Sequence, residues 1–155
     1  MSQRNDAGEI VKPPQQLQHL LGFSQACSCG RIHQVDLQGA HIGTDCLEET
    51  LTWVGHVGRG LRVGLVADGR TRSVAGERVA YLREKDGHHP SVCRLSDGPG
   101  GRPHADADTL AQVQGELAEQ DLLVAVGSGT INDLSKLASH RLGRPYVAVA
   151  TAPSM

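Results

Sequence analysis

Three short segments of this chain carry small or polar residues of the kind that hold anions: Gly127-Ser128-Gly129-Thr130, Asp68-Gly69-Arg70-Thr71 and Thr151-Ala152-Pro153-Ser154. The first is the most informative. Two glycines between a buried run and an amphipathic one let backbone approach a phosphate with no Cβ in the way, and the free amides of a helix start then face the anion. Ser128, Thr130 and Asn132 add short polar side chains at the same mouth. The plain alternative is a tight turn, and G-x-G alone does not separate the two. The segment is not a standard dinucleotide fingerprint: Asn132 stands where G-x-G-x-x-G needs its third glycine, and no acid closes the next strand. It also lacks the spacing G-x-x-x-x-G-K-[ST] of a P-loop.

The remaining chemistry-bearing residues are weaker signals. Cys27-x-Cys29-Gly30 with His33 has half the composition of a zinc site, but no second pair follows at closed-site spacing. A turn with reduced thiols is the plain reading. Cys46 falls on a helix and Cys93 in a strand. His88, His89 and His104 lie in polar loops, where solvated imidazoles are the default. His140 stands late in a helix, where a cation suits the dipole. Lys136 sits about two turns beyond the glycine loop and reads as solvent-exposed, and Trp53 reads as packing.

The elements that must position these residues alternate. Helical spacing begins near Asp45, which with Glu48 has the spacing of a capping box, and Leu47, Leu51 and Val54 follow on one face. Residues 61–68 form a β-branched run ending in the turn signal Asp68-Gly69. Helical spacing over 71–85 places Ala75, Val79 and Leu82 together; 91–95 reads as a strand. A helix over 106–119 is capped by Asp106 and lined by Leu110, Val113 and Leu117. Leu122 to Val126 is an unbroken apolar run, as in a strand covered on both faces. A helix with Ile131, Leu134 and Ala138 follows and ends at Gly143; 146–151 reads as another buried strand. The pattern predicts an α/β domain: an open, mostly parallel Rossmann-like sheet with helices on both faces. Ligands of such sheets bind at the carboxyl ends of the strands, where all three polar segments arrive. Residues 1–25, with Pro13-Pro14 and many glutamines, read as a polar, loosely ordered arm, leaving 26–155 as the α/β domain.

Composition narrows the field. The 155 residues carry 15 Lys+Arg against 17 Asp+Glu, a net charge of −2, with the signs interspersed. No basic face for nucleic acid is expected. No apolar run approaches the roughly 18–20 residues of a membrane span. The start MSQRNDAGEIVKPP fits neither a signal nor a transit peptide. Four cysteines without such a signal read as reduced thiols of a cytoplasmic protein. Aromatic residues make up only 3%, and 19 glycines accompany a small-aliphatic core suited to close helix-on-sheet packing.

Taken together, VGSGTINDLSK (126–136) and PYVAVATAPSM (145–155), with CSCGRIH (27–33) and VADGRT (66–71) upstream, carry a resemblance. They resemble the glycerol-1-phosphate dehydrogenase family, its bacterial branch in particular, within the iron-containing alcohol dehydrogenase and dehydroquinate synthase superfamily. The resemblance covers about residues 27–155. It implies the amino-terminal, nucleotide-binding domain of a dehydroquinate synthase-like fold, and NAD or NADP as cofactor. By that resemblance Gly127, Ser128, Gly129, Thr130 and Asn132 hold the pyrophosphate, Ile131 belongs to the same cofactor-binding segment, and Asp133 closes the motif near cofactor and substrate. Thr151, Ala152, Pro153 and Ser154 contact the same cofactor, and Asp68 and Thr71 lie by the adenosine end. Family members are more than twice as long. Their helical second domain supplies an Asp and two His that hold a divalent metal (zinc, nickel or iron), and an acid just past the position of Met155 contacts substrate. The resemblance therefore implies the NAD(P)-binding half of an enzyme that interconverts dihydroxyacetone phosphate and sn-glycerol 1-phosphate, a phosphorylated triose and polyol. It also implies that these residues alone are inactive, and a homo-oligomer is compatible with it. A dehydroquinate-synthase-like lyase fragment and a catalytically silent binding or oligomerisation module are the alternatives.

Overall fold

A computed structural model describes residues 3–4, 10–11, 21–41, 46–57, 61–79, 90–98, 100–127 and 129–151. The chain divides into two compact units, Met1–Glu49 and Thr50–Met155. In the first unit β1 (Gln3–Arg4) pairs antiparallel with β2 (Ile10–Val11), and β3 (Ser24–Ala26) with β4 (Ile32–Gln34). The hairpin β3–β4 is exposed along its whole length, so it has no alternation of buried and exposed residues for a periodicity argument to find.

The second unit begins within α1 (Glu49–Val57), which follows a 3-10 turn at Cys46–Glu48 and buries Val54. The capping box expected at Asp45 lies outside the described residues. Then come β5 (Val63–Ala67) and α2 (Gly69–Thr71), which runs on through a π-helical stretch at Arg72–Gly76. The helix starts two residues earlier than the apolar spacing suggested, because Asp68 caps it. Ala75 and Val79 are buried as expected, whereas Leu82 lies outside the described residues. β6 (Ser91–Arg94), α3 (Ala107–Glu116), β7 (Leu122–Val126), α4 (Thr130–Leu142) and β8 (Tyr146–Val149) complete the alternation. Asp106 caps α3 by accepting from the Thr109 amide at 2.8 Å. Gly143, left-handed at φ 63°, ends α4 with its amide donating to the His140 carbonyl.

The four strands of this unit are all parallel, in the order β6-β5-β7-β8. This is the α/β, open parallel sheet that the alternation predicted. Every residue of β5 and β7 is buried, which explains their unbroken apolar runs. On one face Val66, Cys93, Leu123 and Ala125 pack with Leu110, Val113 and Leu117 of the α3 segment and Ile131, Leu134 and Ala138 of α4. On the other face the turn of α2 lies against the sheet, where a Cβ on Gly76 would sit 3.6 Å from that of Ala67. Burial and the Glu116 carboxylate push the Cys93 thiol up to about 12, so it behaves as a small core residue. β8 departs from the expected buried strand. It is the sheet edge, with three residues half-buried and Ala148 exposed.

Candidate functional site

The strand order decides where a ligand can sit. The crossover from β5 runs outward to β6 and the crossover from β7 runs outward to β8, in opposite directions. The switch point is therefore between β5 and β7, and the crevice beyond their carboxyl ends is the expected ligand position. Register places Val66 beside Ala125 and Val126 beside Val149. Two residues past the first pair stand Asp68 and Gly127. The Gly127 amide donates to the Val149 carbonyl at 3.0 Å, which brings the start of the Thr151 segment to the same rim. Sheet topology thus brings Asp68, Gly127 and the approach to Thr151 to one rim, although they are far apart in sequence.

The Gly127–Asp133 segment is built for close approach. A Cβ on Gly127 would fall 2.6 Å from Ile131 Cδ1 and 2.9 Å from Ile131 Cβ, so this glycine lets the first turn of α4 pack down on β7. Gly129 has φ 49° and ψ −114°, a conformation side chains disfavour, and a Cβ there would meet nothing within 4 Å. The open space beside it is on the solvent side of the helix start. Gly129 is the N-cap of α4 and provides no side-chain bond. The first intrahelical bond runs from the Asp133 amide to the Gly129 carbonyl at 2.9 Å, leaving the amides of Thr130, Ile131 and Asn132 without helical partners. Asn132 Oδ1 is buried and has no hydrogen-bond partner among the described residues. A buried amide group without a partner costs about 1–3 kcal/mol, so this end of Asn132 calls for a ligand. As oxygen it accepts from a hydroxyl; turned about χ2 it donates to a phosphate oxygen. Ile131 is buried and serves packing, while Thr130 is half-buried and Asp133 exposed. Ser128, Ala152, Pro153 and Ser154 lie outside the described residues.

Asp68 and Thr71 are brought together, chiefly with each other. The Asp68 Oδ1 accepts from the Arg70 amide at 2.9 Å, the Thr71 amide at 2.7 Å and the Thr71 hydroxyl at 3.0 Å. The Asp68 amide in turn donates to Thr71 Oγ1 at 3.1 Å. This capping box fixes the turn after β5 and leaves the cofactor role of these two residues as an expectation. Sequence reasoning passed over two cations on the same rim. A Cβ on Gly69 would lie 3.3 Å from Arg94 Nη2, and one on Gly101 would lie 3.5 Å from Arg70 Nη2. Their signal was available: each arginine stands within three residues of the end of a strand.

A cavity of about 410 Å³ opens next to β6, between Ser96–Gly98 and the His104–Thr109 entry to α3. It lies off the switch point, and its Asp97 and Asp106 carboxylates would repel a diphosphate. The glycine segment is the better anion site. Of the sequence-predicted metal-ligating residues, exposed Cys27, Cys29 and His33 converge on the hairpin of the first unit. Among the described residues no other set of three His, Cys, Asp or Glu is placed to hold a metal.

Comparison with known proteins shows the family. The profile of the iron-containing alcohol dehydrogenase family matches residues 41–155. A glycerol-1-phosphate dehydrogenase (NAD(P)+) of Halalkalibacterium halodurans is 36% identical over 131 residues, 83% of this chain and 33% of that protein. One from Geobacillus stearothermophilus is 28% identical over 143 residues, 91% of this chain and 35% of that protein. The chain thus spans about a third of the length of these relatives. Among solved structures, glycerol dehydrogenase from Schizosaccharomyces pombe superposes with a TM-score of 0.56 at 17% identity, over 68% of this chain and 25% of that one, a likeness of fold.

Proposed function

The chain belongs to the iron-containing alcohol dehydrogenase family, and from that premise we propose that its second unit binds NAD(H) or NADP(H) for a glycerol-1-phosphate dehydrogenase-type reaction. The observation that carries the reading is the start of α4: three amides without helical partners, an open Gly129 and a buried, unsatisfied Asn132 amide at one switch point. A pyrophosphate fits this set. Its charge meets the positive end of a helix running Thr130–Leu142, and its oxygens meet N–H donors. Asn132 takes a ribose hydroxyl or a phosphate oxygen, and Arg70 and Arg94 add positive potential on the adenosine side. Thr151 and the residues after it flank the same cofactor. When bound, the nicotinamide supplies hydride transfer; these residues bind and orient it.

The described residues do not contain the Asp and two His expected for the family's metal, and the Cys27-Cys29-His33 group belongs to the other unit. No step through a metal is assigned to them. The reaction, interconverting dihydroxyacetone phosphate and glycerol 1-phosphate, belongs to the whole enzyme. The 155 residues should bind the dinucleotide without turning over.

The test is fluorescence titration of the 155-residue chain with NADH and NADPH, beside Gly129→Val. A branched side chain there fills the space open to the pyrophosphate and strains a positive-φ backbone. Affinity should fall at least about tenfold, or about 1.4 kcal/mol. Unchanged affinity in a variant whose circular dichroism matches the parent would exclude the cradle assignment.

A further inference from the structure

We propose that the β3–β4 hairpin is a metal site: Cys27, Cys29 and His33 take one zinc-class divalent cation, with water in the fourth position. The inference does not depend on the dinucleotide reading, since it concerns the other unit alone.

The hairpin backbone does the positioning. Gln25 pairs with His33 and Ala26 with Ile32, and the Cys27 amide continues the ladder by donating to the Arg31 carbonyl at 2.9 Å. Side chains alternate along each strand, so Cys27 and His33 lie diagonally on the same face as Gln25 and Arg31. The Gly30 amide then donates to the Cys27 carbonyl at 3.0 Å, closing a turn over Cys27–Gly30 that Gly30 completes at φ 78°. That turn folds Cys29 back toward the same point. An extended chain without this reversal would hold Cys29 and His33 about 13 Å apart. Here Cys29 Sγ is 3.2 Å from His33 Nε2, and all three ligand atoms lie within 4.8 Å of one another.

These separations are within about 1 Å of those a tetrahedral ion requires. Bonds of about 2.3 Å to sulfur and 2.0–2.1 Å to nitrogen give ligand-to-ligand edges of roughly 3.5–3.8 Å. Reaching them takes shifts of about 1 Å or less in side-chain ends that are exposed and packed against nothing that would resist. Two thiolates and an imidazole are a borderline-soft set, which favours zinc over magnesium or calcium. Both thiols release their protons to solvent when the cation enters, and the imidazole binds neutral through Nε2. Three protein ligands leave one position open.

The test uses the reduced, metal-stripped 155-residue chain. Titrated with Co2+, it should bind a single equivalent, with a thiolate-to-cobalt charge-transfer band and the intense visible bands of tetrahedral coordination, both bleached by Zn2+. Losing an outer-shell partner alone weakens such sites by about 10–100-fold, so Cys29→Ser and His33→Ala should each weaken zinc by about 100-fold or more. The double variant Cys27→Ser/Cys29→Ser should show no charge-transfer band. Alkylation mapping of the parent checks the same point without a variant: zinc should protect Cys27 and Cys29 while leaving labelling of buried Cys93 unchanged. No charge-transfer band at saturating Co2+, a band that survives in the double variant, or full alkylation of both cysteines under zinc would each overturn the proposal.

Discussion

Replacing Gly127 by alanine tests whether the glycine segment is a packed device or a permissive loop. The added Cβ would lie 2.6 Å from Ile131 Cδ1, 2.9 Å from Ile131 Cβ and 3.2 Å from Cγ1. The Cδ1 contact can be relieved by a rotamer change. The Cβ contact cannot, because that atom is fixed by the α4 backbone. The first turn of α4 must therefore lift from β7, and Ile131, only 3% exposed, must move with it. Forcing a methyl into a filled core costs about 1–3 kcal/mol. At about 2–4 °C per kcal/mol for a chain of this size, the melting temperature should fall by about 2–12 °C. Circular dichroism melts of parent, Gly127→Ala, Ile131→Val and the double variant measure this. Valine removes Cδ1 but keeps Cβ, so the double variant should recover only part of the loss. A Gly127→Ala melt within about 1 °C of the parent would refute the reasoning and make the glycine a simple turn residue. Full recovery in the double variant would refute the part assigned to Cβ.

Two further outcomes follow from the turn after β5 and from the opposite end of the sheet. Asp68→Ala removes an acceptor of three hydrogen bonds and leaves the Arg70 and Thr71 amides unpaired, so it should cost about 0.5–2 kcal/mol in urea denaturation; no change in midpoint would show that the capping box contributes nothing. The Arg62 guanidinium and amide beside Asp121 hold its carboxyl down at about 2. A lowered folded value stabilises above the unfolded value of about 3.9, and that contribution is lost as pH falls toward about 2. Asp121→Asn should therefore be less stable than the parent by a constant amount from pH 7 to 5, with the gap closing between about pH 4 and 2. A gap independent of pH throughout would exclude the ion pair as its source.

Much of the second unit was legible in sequence because its signals are local. Leu122–Val126 is apolar without a break because both sheet faces are covered, and Asp106 and Gly143 mark helix ends through their own backbone chemistry. The glycine segment could be located by its place between a buried strand and a helix, although G-x-G alone does not separate a phosphate cradle from a tight turn. Strand order could not be read, because the pairing of Val66 with both Cys93 and Ala125 depends on contacts between residues far apart in the chain. Only that order places Asp68 beside Gly127 and makes their crevice a switch point. β8 looked buried because Tyr146–Val149 is apolar, yet position at the sheet edge, not composition, sets its exposure. The fully exposed β3–β4 hairpin carried no hydrophobic period at all. Sequence showed that Cys27, Cys29 and His33 are near one another along the chain. The reversal at Gly30, set by two backbone hydrogen bonds, decides that their ligand atoms meet at one point.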